Sequence, residues 1–169
     1  MLGSGKVQNH DANLPAMWIF LDIDGVLVPD KKFDNFVSKE DLLKFDATCL
    51  NEFENVLRCY PAVRVVISSS WREVFPFEAV RPLFSSDIAE RVVGFTPFLD
   101  SKIIHQFQYL RHQEVLEYLR QNSASDTPWV AIDDIPEHYP PDVHIVVTNA
   151  DTGFDQCAAL VLELYLATA

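Results

Sequence analysis

The run AMWIFLDI, residues 16–23, is apolar up to the carboxylate Asp22, with Asp24 directly beyond it, and has none of the alternation expected of a strand that has one wet face. A run of this kind suits a strand covered on both sides. Four more segments share its character: AVRVVIS (62–68), RVVGF (91–95), WVAID (129–133) and HIVVT (144–148). Helical spacing fills much of the chain between them. Over residues 38–60, Leu42, Leu43, Phe45, Cys49, Leu50, Phe53, Val56 and Leu57 recur every three or four positions, and Ser38 with Asp41 three residues on marks a helix start. A second helical pattern covers 103–121, through Ile104, Phe107, Leu110, Val115, Tyr118 and Leu119, and a third covers 154–166. Strands that alternate with helices require crossover connections, so the expected fold is α/β, with a central, mainly parallel five-stranded sheet between helical layers. Residues 75–99, with prolines at 76, 82 and 97, read as irregular.

A chain of 169 residues suits one domain, and its composition of 49% hydrophobic and 22% charged residues excludes disorder as its general state. Residues 1–15 read as a loose tail lacking the apolar centre of a signal peptide, and 16–169 as the domain. No run is long enough to span a bilayer. Cys49, Cys59 and Cys157 are widely spaced with no C-x-x-C among them, which suggests neither a disulfide framework nor a zinc site and fits a reducing cytoplasm. The five histidines form no spaced ligand pair. The formal net charge of −12 repels polyanions at long range, so a duplex-gripping surface is not expected. A small phosphorylated ligand escapes this argument, since a metal ion and a few arginines can hold it.

In an open parallel sheet, ligands bind beyond the carboxyl ends of the strands. Those ends carry Asp22 and Asp24, then Ser68, Ser69, Ser70, Trp71 and Arg72, then Asp133 and Asp134. Carboxylates gathered there repel one another unless a cation joins them, and a hard divalent ion with oxygen preference, such as magnesium, resolves the conflict. A calcium loop beginning at Asp22 fails on spacing, since Gly25 stands at position four and Val26 at position five. A metal-dependent D-x-D transferase would leave the SSSWR strand end without a role.

The phrase LDIDGVL resembles the first motif of the haloacid dehalogenase-like (HAD) phosphohydrolases, D-x-D-G-V/T at the end of the first strand. VVISSSWR resembles the second motif, Arg111 in LRHQEVLEYL is placed like the third-motif base, and VAIDD resembles the acidic fourth, all in the family's order. The SSSWR and WVAIDD phrases also resemble HAD domains attached to RNA repair proteins. The resemblance implies a three-layer Rossmann-like fold and a magnesium-dependent phosphomonoesterase. Asp22 would be the nucleophile that becomes an aspartyl phosphate, and Asp24 the general acid and base. Asp22, the backbone carbonyl of Asp24, Asp133 and Asp134 would hold Mg2+. Ser68 would bind a phosphoryl oxygen and Arg111 would balance charge, with Lys102 as its rival. Gly25, Ser69 and Arg72 would contact substrate, although an ion pair with a neighbouring acid is an equal alternative for Arg72.

The segment after the first strand, residues 26–37, is too short for a helical cap, so no large cap domain is expected. The resulting open site suits a bulky phosphorylated small molecule, a phosphorylated nucleic acid end, or a partner protein that completes it. Two other function classes stay open on the sequence: a HAD-fold phosphate- or protein-binding module without turnover, and the D-x-D transferase.

Overall fold

The computed structural model describes residues 17–30 and 43–168. The expected tail at 1–15 and the expected helix start at Ser38 and Asp41 lie outside these residues. Five parallel strands, β1 (Met17–Leu21), β2 (Val63–Ile67), β3 (Val92–Phe95), β4 (Trp129–Asp133) and β5 (Ile145–Val147), lie in the order β3-β2-β1-β4-β5. The chain builds outward from β1 to β3, then crosses to the other side of β1 for β4 and β5. Strand order therefore reverses between β1 and β4, the position where an open α/β sheet leaves a crevice.

Three longer helices, α1 (Ala47–Cys59), α4 (Leu110–Gln121) and α5 (Gln156–Leu166), accompany the short α2 (Phe77–Val80) and α3 (Ser86–Ala89). Alternate residues of one strand point to opposite faces. Ile19 and Leu21 of β1 join Val65, Ile67, Val130 and Ile132 in a core with Phe53 and Leu57 of α1 and Leu162 of α5. Trp18 and Phe20 join Val66 and Ala131 in a second core with Val115 and Leu119 of α4. Both faces are thus dry, which is why the strand sequences do not alternate.

Within the described part of the helix expected over 38–60, α1 begins at Ala47. Residues 43–46 are not helical, and Asp46 caps the first turn, its Oδ1 accepting from the backbone N–H of Thr48 at 2.9 Å and of Cys49 at 3.1 Å. Leu43 and Phe45 carry the apolar spacing upstream for another reason: Phe45 packs on Trp71 and Phe84. The helix expected over 103–121 is likewise divided, with a 3-10 turn at Ile104–Gln106 ahead of α4. The third begins at Gln156, capped by Asp155, whose Oδ1 accepts from Ala158 N at 2.9 Å. The irregular reading of 75–99 gives way to α2, α3 and a 3-10 turn, which make the crossover from β2 to β3. Among the described residues no second sheet or helical bundle is inserted as a cap, and no helix is long and apolar enough to cross a membrane.

Candidate active site

The register of the sheet explains how residues far apart in sequence reach one edge. Leu21 pairs with Ile67 and with Ile132, and Ile67 pairs with Phe95. One step further, Thr96, Ser68, Asp22 and Asp133 stand side by side across four adjacent strands. The ladder continues into this row: Ser68 N–H donates to Leu21 O at 2.8 Å, Asp22 N–H to Ile132 O at 2.9 Å and Thr96 N–H to Ile67 O at 2.9 Å. All four side chains are buried.

Beyond the row, the β1 loop doubles back tightly. Ile23 O accepts from the N–H of Val26, Leu27 and Val28, and Gly25 N–H donates to Val28 O. Gly25 has φ +69°, and a Cβ there would lie 2.6 Å from Asp134 Oδ2, so glycine is required both by the turn and by the closeness of the second carboxylate pair. Thr148, following β5, fastens the loop by donating its hydroxyl to Gly25 O at 2.8 Å, and Phe154 N–H donates to Val26 O at 2.7 Å. Within residues 17–29 Asp24 alone is exposed, and its Oδ1 accepts from Trp71 Nε1–H at 3.0 Å.

Asp22, Asp133 and Asp134 each offer an oxygen within 4.8 Å of the others. Burial first, and then the charge of Asp133, push the Asp22 carboxyl up to about 7, against the opposing pull of the Ser69 hydroxyl, Arg111 and the Ile23 amide. The same two causes, in the same order, raise Asp134. The cluster therefore has more negative charge than its surroundings balance, and its donors are all hard oxygens. Both properties fit magnesium, which Asp22, Asp133 and Asp134 could hold.

The Ser68 hydroxyl lies close enough to Tyr139 to affect its phenol, yet among the described residues no group meets it at full hydrogen-bonding geometry. That buried, unsatisfied hydroxyl stands next to Asp22 in the row. Arg111 acts electrostatically on Asp22, His138 and Tyr139. Lys102 is exposed in the turn ahead of the 3-10 segment.

Arg72 is engaged within the protein. Its side chain is 4% exposed; Nη1 donates to Thr96 O at 3.1 Å and to the Thr96 hydroxyl, while Nη2 binds the Glu114 carboxylate. Glu114 Oε2 in turn accepts from Arg111 Nη1 at 3.2 Å. Arg72 is the ion-paired alternative of the sequence reading, and through Glu114 it fixes Arg111. Its guanidinium also lies beneath the exposed Phe98 ring, 4.5 Å from the centroid.

Sequence reasoning missed Glu114, His138, Tyr139 and Thr148. Glu114 had a local signal, since it stands three residues after Arg111 on one helix. His138 had none. A 3-10 turn, Pro136–His138, brings its Nδ1 to 2.9 Å from Asp133 Oδ2, and that hydrogen bond raises the imidazole above its ordinary value. A cavity of about 490 Å³ between the starts of α1 and α5 contains none of the carboxylate cluster; its acidic walls include the helix caps Asp46 and Asp155.

A family model described as the HAD domain in Swiss Army Knife RNA repair proteins matches residues 18–159. Comparison with curated proteins and with solved structures finds no match. The matched span runs from β1 into α5 and includes every residue of the carboxylate cluster, the Ser68 strand end and the Arg72–Glu114–Arg111 array. With most of its length matched, with the sheet in this order and with both acidic motifs at the crevice, the chain belongs to the family of HAD domains in Swiss Army Knife RNA repair proteins.

Proposed function

We propose that this HAD domain is a magnesium-dependent phosphomonoesterase that works through an aspartyl phosphate on Asp22 and acts on phosphorylated nucleic acid ends. One observation carries the reading: the register that sets Asp22 between the unsatisfied Ser68 hydroxyl and Asp133, with Asp24 exposed two residues on. Bound magnesium would supply countercharge to the carboxylates and to the phosphoryl oxygens.

In the first half-reaction Asp22 uses a carboxylate lone pair to bond phosphorus. The bond from phosphorus to the leaving oxygen breaks, and Asp24 gives that oxygen its proton. In the second, Asp24 takes a proton from water, the water oxygen bonds phosphorus, and the acyl phosphate bond breaks to restore Asp22. Ser68 donates to a phosphoryl oxygen. Arg111, held by Glu114, opposes the negative charge of Asp22 and phosphate. The net charge of −12 disfavours a long nucleic acid track, so contact would be confined to the phosphorylated end and its nearest residues. The family description is the reason for preferring nucleic acid ends to small phosphate esters.

The test is phosphate release from oligoribonucleotides bearing a 5′- or a 3′-phosphate, beside a panel of small phosphate esters and nucleotide-sugars, with magnesium or with chelator. Magnesium-dependent release from one oligonucleotide end, abolished in Asp22→Asn, is the expected outcome. Binding without release would favour the non-catalytic module, and turnover of nucleotide-sugars alone would favour the transferase. Full activity in Asp22→Asn would eliminate the covalent route.

A further inference from the structure

Trp71 follows the three serines at the end of β2, where a strand gives way to the 3-10 turn Ser70–Glu73. Ser69 starts the turn by accepting the Trp71 N–H on its hydroxyl at 3.4 Å. The turn sends the indole toward the β1 loop, where Trp71 is 7% exposed and its ring is wedged between Phe45 and Phe75, at centroid distances of 5.8 and 5.1 Å. Its one polar hydrogen meets Asp24 Oδ1 at 3.0 Å. An indole N–H is not satisfied by default in this protein, since among the described residues that of Trp18 is buried without a partner.

An indole nitrogen donates and cannot accept. The oxygen that it meets must therefore present a lone pair in either protonation state of Asp24. The carbonyl oxygen of a carboxylic acid is a better acceptor than its hydroxyl oxygen, so the bond at Oδ1 favours the proton on Oδ2. The packed ring also restrains a short, exposed side chain that would otherwise sample several rotamers. We propose that Trp71 is a positioning residue for Asp24, fixing its rotamer and assigning Oδ2 as the oxygen that gives the proton to the leaving group and takes it back from water. This rests on the acid–base role given to Asp24 above.

The test replaces Trp71 by Phe, which keeps an aromatic ring and removes the N–H, and by benzothienylalanine, which keeps the bicyclic shape and removes only the donor. Thermal melts with each variant establish folding. Formation of the aspartyl phosphate is followed by rapid mixing with an alkyl phosphate and with p-nitrophenyl phosphate. An alkoxide leaving group needs the proton and a nitrophenolate does not. Loss of one orienting hydrogen bond should slow the alkyl reaction by about tenfold and leave the aryl reaction within about twofold. The same replacements made in Asp24→Asn should add no further loss. Benzothienylalanine behaving like Trp, or both substrates slowing equally, would overturn the assignment. If Asp24→Asn itself shows no difference between alkyl and aryl substrates, the acid–base reading of Asp24 fails instead, and the two failures are distinguished by that control.

Discussion

Two charged regions share the carboxyl edge of the sheet and differ in how their charge is resolved. Around Asp22, Asp133 and Asp134, three carboxylates lie within 4.8 Å of one another, and burial with mutual repulsion drives Asp22 up to about 7. Toward β3, Arg72, Glu114 and Arg111 form an array in which both Glu114 oxygens are bonded and the Arg72 guanidinium is capped by Phe98. Buried charge that the protein has already paired holds structure. Buried like charge left together marks the place where something from outside completes the balance.

The sharpest way to separate the two regions is to remove one carboxylate from each. Asp22→Asn should lower turnover on the order of a thousandfold or more, because the amide cannot attack phosphorus. In chelator at neutral pH the same variant should be more stable than the parent, since it removes a repelled buried charge; urea denaturation measures this. Glu114→Gln should do the reverse for stability, costing roughly 3–5 kcal/mol by leaving two guanidinium groups without their shared anion. Equal signs for the two substitutions would dissolve the distinction.

A smaller effect is expected from the ion itself. Magnesium at about 100 times its dissociation constant should stabilise the parent by roughly 2.7 kcal/mol, a shift of roughly 5–10 °C in a chain of this size. Asp133→Asn should lose that shift, whereas Arg72→Lys should retain it. Differential scanning fluorimetry against magnesium concentration decides between them.

The gentlest probe is pH. The Asp22 carboxyl has an ordinary value of 3.8 and a folded value of about 7, so the folded state binds this proton more tightly than the unfolded state does. The resulting stability is full below the unfolded value and is lost as pH rises through the window from about 4 to 7. Asp22→Asn in chelator should show a shallower decline across that window, read from denaturation midpoints at successive pH values.

Much of the sheet was legible because its signals are local: an unbroken apolar run can be read without knowing its neighbours, and strand ends in a parallel sheet share one edge. The carboxylate cluster follows from those two facts. Helix starts were less legible. Phe45 continues the apolar spacing of α1 upstream only because Trp71 and Phe84 bury it, a tertiary reason invisible in the periodicity. Arg72 looked equally suited to substrate or to an acid, and the acid lies 42 residues away on α4. His138 reaches Asp133 through a 3-10 turn with no motif to announce it.

The bonds from Thr148 to Gly25 and from Phe154 to Val26 have a consequence for synthesis. Among the described residues β1 comes first in chain order and lies at the centre of the sheet, yet one of its neighbours, β4, starts at Trp129, and its loop, held on one side by Asp46 N–H at Leu27 O and by Trp71 at Asp24, is held on the other by residues that follow β5. A nascent chain can pair β1 with β2 early, but the crevice between β1 and β4 has no second wall until translation passes Asp133, and the bonds to Gly25 O and Val26 O cannot both form until it passes Phe154. Assembly of the carboxylate cluster therefore waits for Asp133 and Asp134, and a chain released before residue 148 would carry Asp22 and Asp24 without the loop fastening that Thr148 and Phe154 supply.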